Sequence, residues 1–403
     1  MPRRASPGCR PRRNFPSGVD PSKVGSTGLL RYSQRVEAID FVHREIQNQI
    51  QTLTDNMECP KIEFTNLPLN FAASMLFRVT SSNDALEAPD LWLPILVRSS
   101  SYRYKSGLGL QQEQPQSSTR NEVDYASPSY RYFRCEPHQK ERLQYGPLLC
   151  VAPREGKMFL QDSFYSRFRT RFKIPTSAAV DATAVRDFLI ERWNTTNETK
   201  KMPFDGWVRK LQTRSQDKPT YDGLLQLRKI LYEPLGYRFE FSPTEQSDIN
   251  LCNARLGQYR VVHRRASQHW RGFSGARSLK VLLATSRLDG IVFSGPGTNI
   301  HLLDFLVVFH NSVAANGDII AGVFIFPRKV IEDNLNDREE NFCPCFSLHV
   351  PTASPRYESG RQARQWQEPY YIDLTRALQD AERATVAQNA ARKIFTEYPQ
   401  QEH

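Results

Sequence analysis

The feature that most constrains this chain is an internal repeat. Residues 33–100 and 219–267 run through the same order of elements. Each opens on an amphipathic helix, marked by Val36, Ile39, Val42, Ile46 and Ile50 in the first and by Leu224, Leu227, Ile230 and Leu231 in the second. Spacings of three and four place these residues along one helix face. Each then offers a strand (61–66 and 237–241), a second (71–79 and 247–252) and a third (91–99 and 259–266) in which apolar residues lead up to an arginine. A helix followed by a three-strand meander is one supersecondary unit, and meeting it twice predicts two copies of one domain. The alternative is two unrelated α/β domains.

The 403 residues suit two domains and their connections, at about 150 residues per domain. The expected fold class is α/β, with two mixed-sheet domains and flanking helices. The expected division is a disordered basic arm (1–32), a first domain (33–163), a helical connector (164–218), a second domain (219–375) and a C-terminal helix and tail (376–403). The polar stretch 101–129 reads as a long surface loop. Residues 146–153, Gly-Pro-Leu-Leu-Cys-Val-Ala-Pro, read as a strand buried on both faces. In the connector, a helix over 180–193 is expected behind Thr176 or Ser177 as cap. Stretches 301–310 and 319–327 read as central strands, with 346–350 and 370–374 closing the sheet. The segment 375–398 is helical by propensity.

The net charge of +11 favours a polyanionic partner such as nucleic acid, DNA or RNA. The arm carries Arg3, Arg4, Arg10, Arg12, Arg13 and Arg31 against one acid, Asp20, and lacks the apolar residues to order itself. It has no secretory-signal core. A plain disordered arm, a nuclear import signal at residues 10–13 and an organelle transit peptide stay open, and the prolines count against the last. No run approaches about 20 apolar residues, so no membrane span is expected. Seven cysteines without regular spacing predict reduced thiols and an intracellular protein, with the nucleus favoured and an organelle also open.

The third strands read Asp90-Leu91-Trp92-Leu93-Pro94-Ile95-Leu96-Val97-Arg98 and Tyr259-Arg260-Val261-Val262-His263-Arg264-Arg265. With the helix and strands before them, they resemble the restriction-endonuclease-like fold of the PD-(D/E)xK nuclease superfamily. That resemblance implies an Asp on the second strand, and a Glu or Gln with a Lys two residues later on the third. Positions i and i+2 of a strand face one side. The carboxylates would hold a divalent metal that polarises a phosphodiester and activates water, and the Lys would stabilise charge. In the first copy these places fall on Ser74, Leu96 and Arg98, with Glu63, Glu87 and Asp90 as nearby acids. In the second, Asp248 stands at the metal-ligand place, followed by Val262 with Arg264 or by His263 with Arg265. A one-residue slip exchanges the faces, so one register excludes the other. Val262 with Arg264 repeats the pattern of Leu96 with Arg98. The other register puts a neutral imidazole near Asp248, as in an imperfect metal site.

The resemblance implies a nucleic-acid-binding protein whose nuclease-like domains are catalytically degenerate, with no cofactor. Two alternatives stand beside it. One is a metal-dependent nuclease acting through Asp248 with Mg²⁺. The other is a structural or scaffolding subunit that binds RNA or protein through a basic surface. Segments 102–105, 130–134 and 164–173 interleave aromatics with cations, a pattern that can stack bases and neutralise phosphates. Arg98, Arg103, Arg167, Arg169 and Arg171 are the candidate contacts; the competing reading puts the aromatics in a core and the arginines in water. Cys343 and Cys345 with His349 lack a fourth zinc ligand, Cys135 with His138 offers only two, and both groups read as structural residues. No Gly-x-Ser-x-Gly, His-Glu-x-x-His or Walker sequence is present.

Overall fold

The computed structural model describes residues 35–48, 60–68, 71–80, 90–100, 130–134, 146–161, 171–213, 215, 218–242, 251–268, 279–282, 303–311, 319–335 and 345–398. Helix α1 covers 35–48. Strands β1 (Lys61–Asn66), β2 (Met75–Thr80), β3 (Leu91–Ser99), β4 (Tyr130–Arg134), β5 (Leu148–Ala152), β6 (Lys157–Gln161) and β7 (Arg171–Pro175) follow. Next come α2 (Ala182–Thr195), β8 (Met202–Pro203), α3 (Phe204–Leu211) and α4 (Lys218–Leu227), which runs into a π-helical turn, Arg228–Tyr232. The second half holds β9 (Phe239–Phe241), β10 (Leu251–Leu256), β11 (Tyr259–Arg265), β12 (Ser267–Gln268), β13 (Leu279–Leu282), β14 (Phe305–Asn311) and β15 (Ile320–Pro327). It ends with α5 (Arg328–Leu335), β16 (Cys345–Leu348), α6 (Glu358–Gln367), β17 (Tyr371–Asp373) and α7 (Ala381–Glu397).

Two mixed sheets dominate. The first runs β1-β2-β3-β5-β6, and the second β9-β10-β11-β14-β15 with β17 added at its edge. The order is the same in both. Three antiparallel strands form a meander, a parallel crossover follows, and an antiparallel strand closes the unit. The repeat read from helix and strand spacing therefore reappears in strand order.

Burial explains why the central strands lack polar alternation. Leu148, Cys150 and Ala152 of β5 enter one core, while Leu149 and Val151 enter another. In β14, Phe305, Val307 and Phe309 take one side and Leu306 and Val308 the other. A strand covered on both faces needs apolar residues at every position. One core lies between the first sheet and helices α1 and α2. A second, the largest, draws on both sheets and on α3, α4 and α7. A third packs the far face of the second sheet against α5.

The shared core binds the halves together. The Phe71 and Tyr221 rings meet edge to face at 4.7 Å, and both contact Phe241, at 6.3 and 6.0 Å. Helix α4 lies so close to β14 that a Cβ on Gly223 would run into the Phe309 ring. An ion network crosses the same boundary. Arg228 pairs with Asp205 at 2.9 Å, Glu233 at 2.6 Å and Asp90 at 3.8 Å. Lys229 also reaches Asp205, at 3.0 Å.

Several local expectations are corrected. The second strand of the first half begins later than predicted, at Met75; in the second half residues 247–250 of the predicted strand lie outside the described residues, and β10 is described from Leu251. Residues 72–74 form a bend ahead of β2. The stretch 164–218 is not only helical: β7 pairs with β4, β8 pairs with β3, and α3 lies in the shared core. Asp181 caps α2, accepting the Ala184 amide at 2.7 Å. Thr176 and Ser177 instead sit in a 3₁₀ turn. Strand β16 does not close the second sheet but joins β12 and β13 in a small sheet of its own. The arm 1–32 and the insert 101–129 lie outside the described residues.

Candidate functional site

The apolar–x–arginine pairs can be placed by facing. Helix α1 shares its core with Leu93, Ile95 and Val97 of β3, so Leu96 and Arg98 occupy the opposite face. Helix α4 shares its core with Val261 of β11, and Tyr232 of the π turn bonds His263, so Val262 and Arg264 lie on the opposite face. Relative to the helix that opens each half, the two pairs stand in the same place.

Neither pair lines an open metal site. Ser74 is fully buried and its hydroxyl is turned onto the backbone of β3. It accepts the Val97 amide at 3.1 Å and donates to the Val97 carbonyl at 3.2 Å. The Ser74 amide also donates to the Ile95 carbonyl at 3.0 Å, so the hydroxyl adds to main-chain pairing where the residues before β2 bend. Leu96 is 0 % exposed in the shared core, and Arg98 beside it is partly buried. Val262 is 2 % and Arg264 3 % exposed, and the Arg264 guanidinium donates to the His263 carbonyl at 3.2 Å.

His263 belongs to the other face. Its Nε2 lies 2.8 Å from the Tyr232 hydroxyl, and its ring meets Phe239 edge to face. Burial holds the Arg265 guanidinium below its ordinary pKa. Asp248 falls outside the described residues, as do Glu87, Arg103, Arg167, Arg169, Cys135, His138 and Cys343. Arg171 opens β7, and Cys345 opens β16. The other acids near the first site are engaged elsewhere. Glu63 pairs with Arg78 at 2.7 Å. Asp90 accepts the Trp92 indole N–H at 2.6 Å and reaches Arg228. Among the described residues no three His, Cys, Asp or Glu side chains converge as metal ligands. The side chains at Ser74, Leu96 and Val262 offer no metal-binding carboxylate.

One polar cluster escaped the sequence reading. On the same sheet face as Arg264, the registers bring His310, Gly322 and Asp373 into one cross-strand row. The Tyr371 ring stacks on His310, and its hydroxyl lies 3.5 Å from His310 Nε2. That hydroxyl rests against Gly322, where any Cβ would collide with it. Burial lowers the His310 pKa to about 4 and raises that of Tyr371. The visible signal was a histidine ending an apolar strand, but cross-strand pairing is not encoded in local spacing.

Among the described residues, no helix is long and apolar enough to cross a membrane. No family model matches this chain, and no curated protein does. Among solved structures, the crystal structure of MepB is similar over 37 % of this chain and 95 % of that one, at 12 % identity. Its TM-score is 0.25, which supports no statement about fold or function.

Proposed function

We propose that this chain is a nucleic-acid-binding protein built from two nuclease-like halves that have lost catalysis. The observation that carries this reading is the closure of both equivalent positions: Leu96 and Val262 are core residues, and the arginine beyond each is at least partly buried. A working site of the restriction-endonuclease-like kind needs carboxylates to hold a dication against a scissile phosphate. Here a serine hydroxyl spent on backbone and two aliphatic side chains stand in those places. An arginine cannot release its proton to act as a base, so it does not replace lysine function for function. The net charge of +11 supports binding to a polyanion.

The test uses the full chain with labelled DNA and RNA in Mg²⁺ or Mn²⁺. The expected result is salt-sensitive binding without cleavage. Cleavage that disappears in Asp248→Asn would overturn the reading in favour of a metal-dependent nuclease. Absence of binding to either polymer would favour a scaffolding role through protein contacts.

A further inference from the structure

Four aromatic rings gather at the edge of the second sheet. Strand β17 pairs with β15 only as far as Phe324, so Ile325, Phe326 and Pro327 run past it. The 3₁₀ turn Glu368–Tyr370, between α6 and β17, packs against β15. Phe326 is 1 % exposed and forms the floor of the cluster. Trp366 of α6 lies 5.4 Å from it and Tyr370 5.9 Å, both tilted. Tyr398, which follows α7, meets Tyr370 at 6.4 Å and 57°, and their hydroxyls are 3.0 Å apart. The two rings thus touch at their hydroxyl tips and form an open angle. Trp366, Tyr370 and Tyr398 are each only partly buried. The charged side chains that bear on Tyr370 are both acids, Glu397 of α7 and Asp333 of α5, and both are exposed. Burial, the Tyr398 hydroxyl and these two carboxylates hold the Tyr370 phenol above its ordinary pKa. Lys393 lies 3.6 Å from Glu397, an exposed pair of little strength.

We propose that this cluster binds a quaternary ammonium group, carried by a trimethylated lysine side chain or by a free choline-like cation. The inference goes beyond the nucleic-acid reading and does not rest on it. The face of an aromatic ring is negative and attracts a cation within about 6 Å of its centroid. Tyrosine centroids 6.4 Å apart leave positions about 4–5 Å from both rings at once. Trp366 adds the ring type that binds cations best. A primary ammonium or a guanidinium would have to exchange its hydrating water for fixed hydrogen-bond acceptors. A quaternary ammonium has no N–H to satisfy, so ring faces with carboxylates at the rim meet its needs. Glu397 and Asp333 supply the counter-charge, and because they are exposed they escape the cost of burying an ion.

The experiment is isothermal titration calorimetry of the full chain with choline, with neohexyl alcohol as its uncharged isostere, and with one peptide carrying either lysine or trimethyl-lysine. Choline should bind about tenfold more tightly than the alcohol, and the trimethyl-lysine peptide more tightly than the unmodified one. Tyr398→Leu should weaken choline binding about tenfold, and Tyr398→Phe should keep it within about twofold. Glu397→Gln guards against misfolding, because the residue is exposed; its melting midpoint should hold while choline affinity falls about threefold. A trimethyl-lysine peptide that binds more tightly than choline assigns the site to a protein tail, and the reverse order assigns it to a free ammonium; both support the site. Equal binding of choline and neohexyl alcohol would reduce the cluster to an apolar crevice and overturn the proposal. So would Tyr398→Leu and Glu397→Gln proteins that bind choline as the wild type does. A wild-type protein that binds neither choline nor the trimethyl-lysine peptide would overturn it as well, and would leave the nucleic-acid reading untouched.

Discussion

The first sheet turns toward the shared core the face opposite its opening helix, whereas the second sheet turns inward the face that its opening helix covers. Helix α1 lies on the outside with Ile62, Phe64 and Met75. Helix α4 lies inside, with Val261, Val307 and Phe309. The two units have one strand order but associate front to back rather than front to front. The consequence for the matched pairs is direct. Leu96 is fully buried in the core to which both sheets contribute. Val262 faces the outer core beside α5, so its position is closed by local residues alone. In the first half the position lies in the core that the sheets share, and in the second it lies in a core of local residues.

The strongest way to break this comparison is to cut the shared core. Phe241→Ala removes a ring that touches Phe71, Phe204, Tyr221 and Phe239. The expected loss is about 3–5 kcal/mol, the range for a buried phenylalanine reduced to alanine. Unfolding in urea, followed by tryptophan fluorescence and far-UV circular dichroism, should show one coincident transition moved to lower denaturant. Two separate transitions, with only the second half weakened, would mean that the halves fold independently and that the common core contributes little.

Much of this architecture was legible because it rests on periodicity. The stretches at 148–152, 305–311 and 320–327 are apolar at nearly every position, and each is a strand buried on both faces. The helix faces Val36–Ile46 and Leu224–Leu231 were visible for the same reason. What periodicity does not carry is the partner. Nothing in Tyr130–Arg134 names Arg171–Pro175 as its mate, and nothing in Cys345–Leu348 says that β13 rather than the main sheet will receive it. For the candidate site, the resemblance set Leu96 with Arg98 beside Val262 with Arg264 and left His263 with Arg265 as the other register; Leu96 and Val262 both lie on the face away from their opening helix. The role of the Ser74 hydroxyl, by contrast, depends on a bend that local composition does not announce.

A second, smaller test sharpens the contrast between the opening helices. Helix α1 meets its sheet through residues with full side chains, Ile39, Val42 and Ile46 among them. On helix α4 the absent side chain of Gly223 is what lets Phe309 lie against it. Gly223→Ala would ordinarily favour a helix by roughly 1 kcal/mol. Here the overpacking should reverse the sign and cost about 1–3 kcal/mol, read as a lower urea midpoint. A stabilised variant would show that α4 can move away from β14, and that the close approach is not what holds the second half inward.

The last difference lies at the far edge of the second sheet. Leu96 pairs with Leu148 and Val262 with Leu306, so four residues further on Ala152 of the first sheet answers to His310 of the second. Only the second sheet thus buries an imidazole there. His310 is 8 % exposed, and burial lowers its pKa from 6.5 to about 4, against smaller opposing effects from the Asn311 backbone and the Asp373 carboxylate. The folded protein therefore holds this histidine neutral where the unfolded chain would protonate it. Stability should be complete above about pH 6.5 and fall as the pH drops toward 4, because the unfolded state binds the extra proton. Linkage makes the loss on the order of 1 kcal/mol at pH 5.5 for this one histidine. His310→Gln removes the titrating group, and urea midpoints between pH 7 and 5 should then vary less with pH than in the wild type. An Ala152→Ser change at the matched place should leave the pH dependence as it is. Equal slopes for wild type and His310→Gln would show that acid sensitivity has another source and that this edge does not distinguish the two sheets.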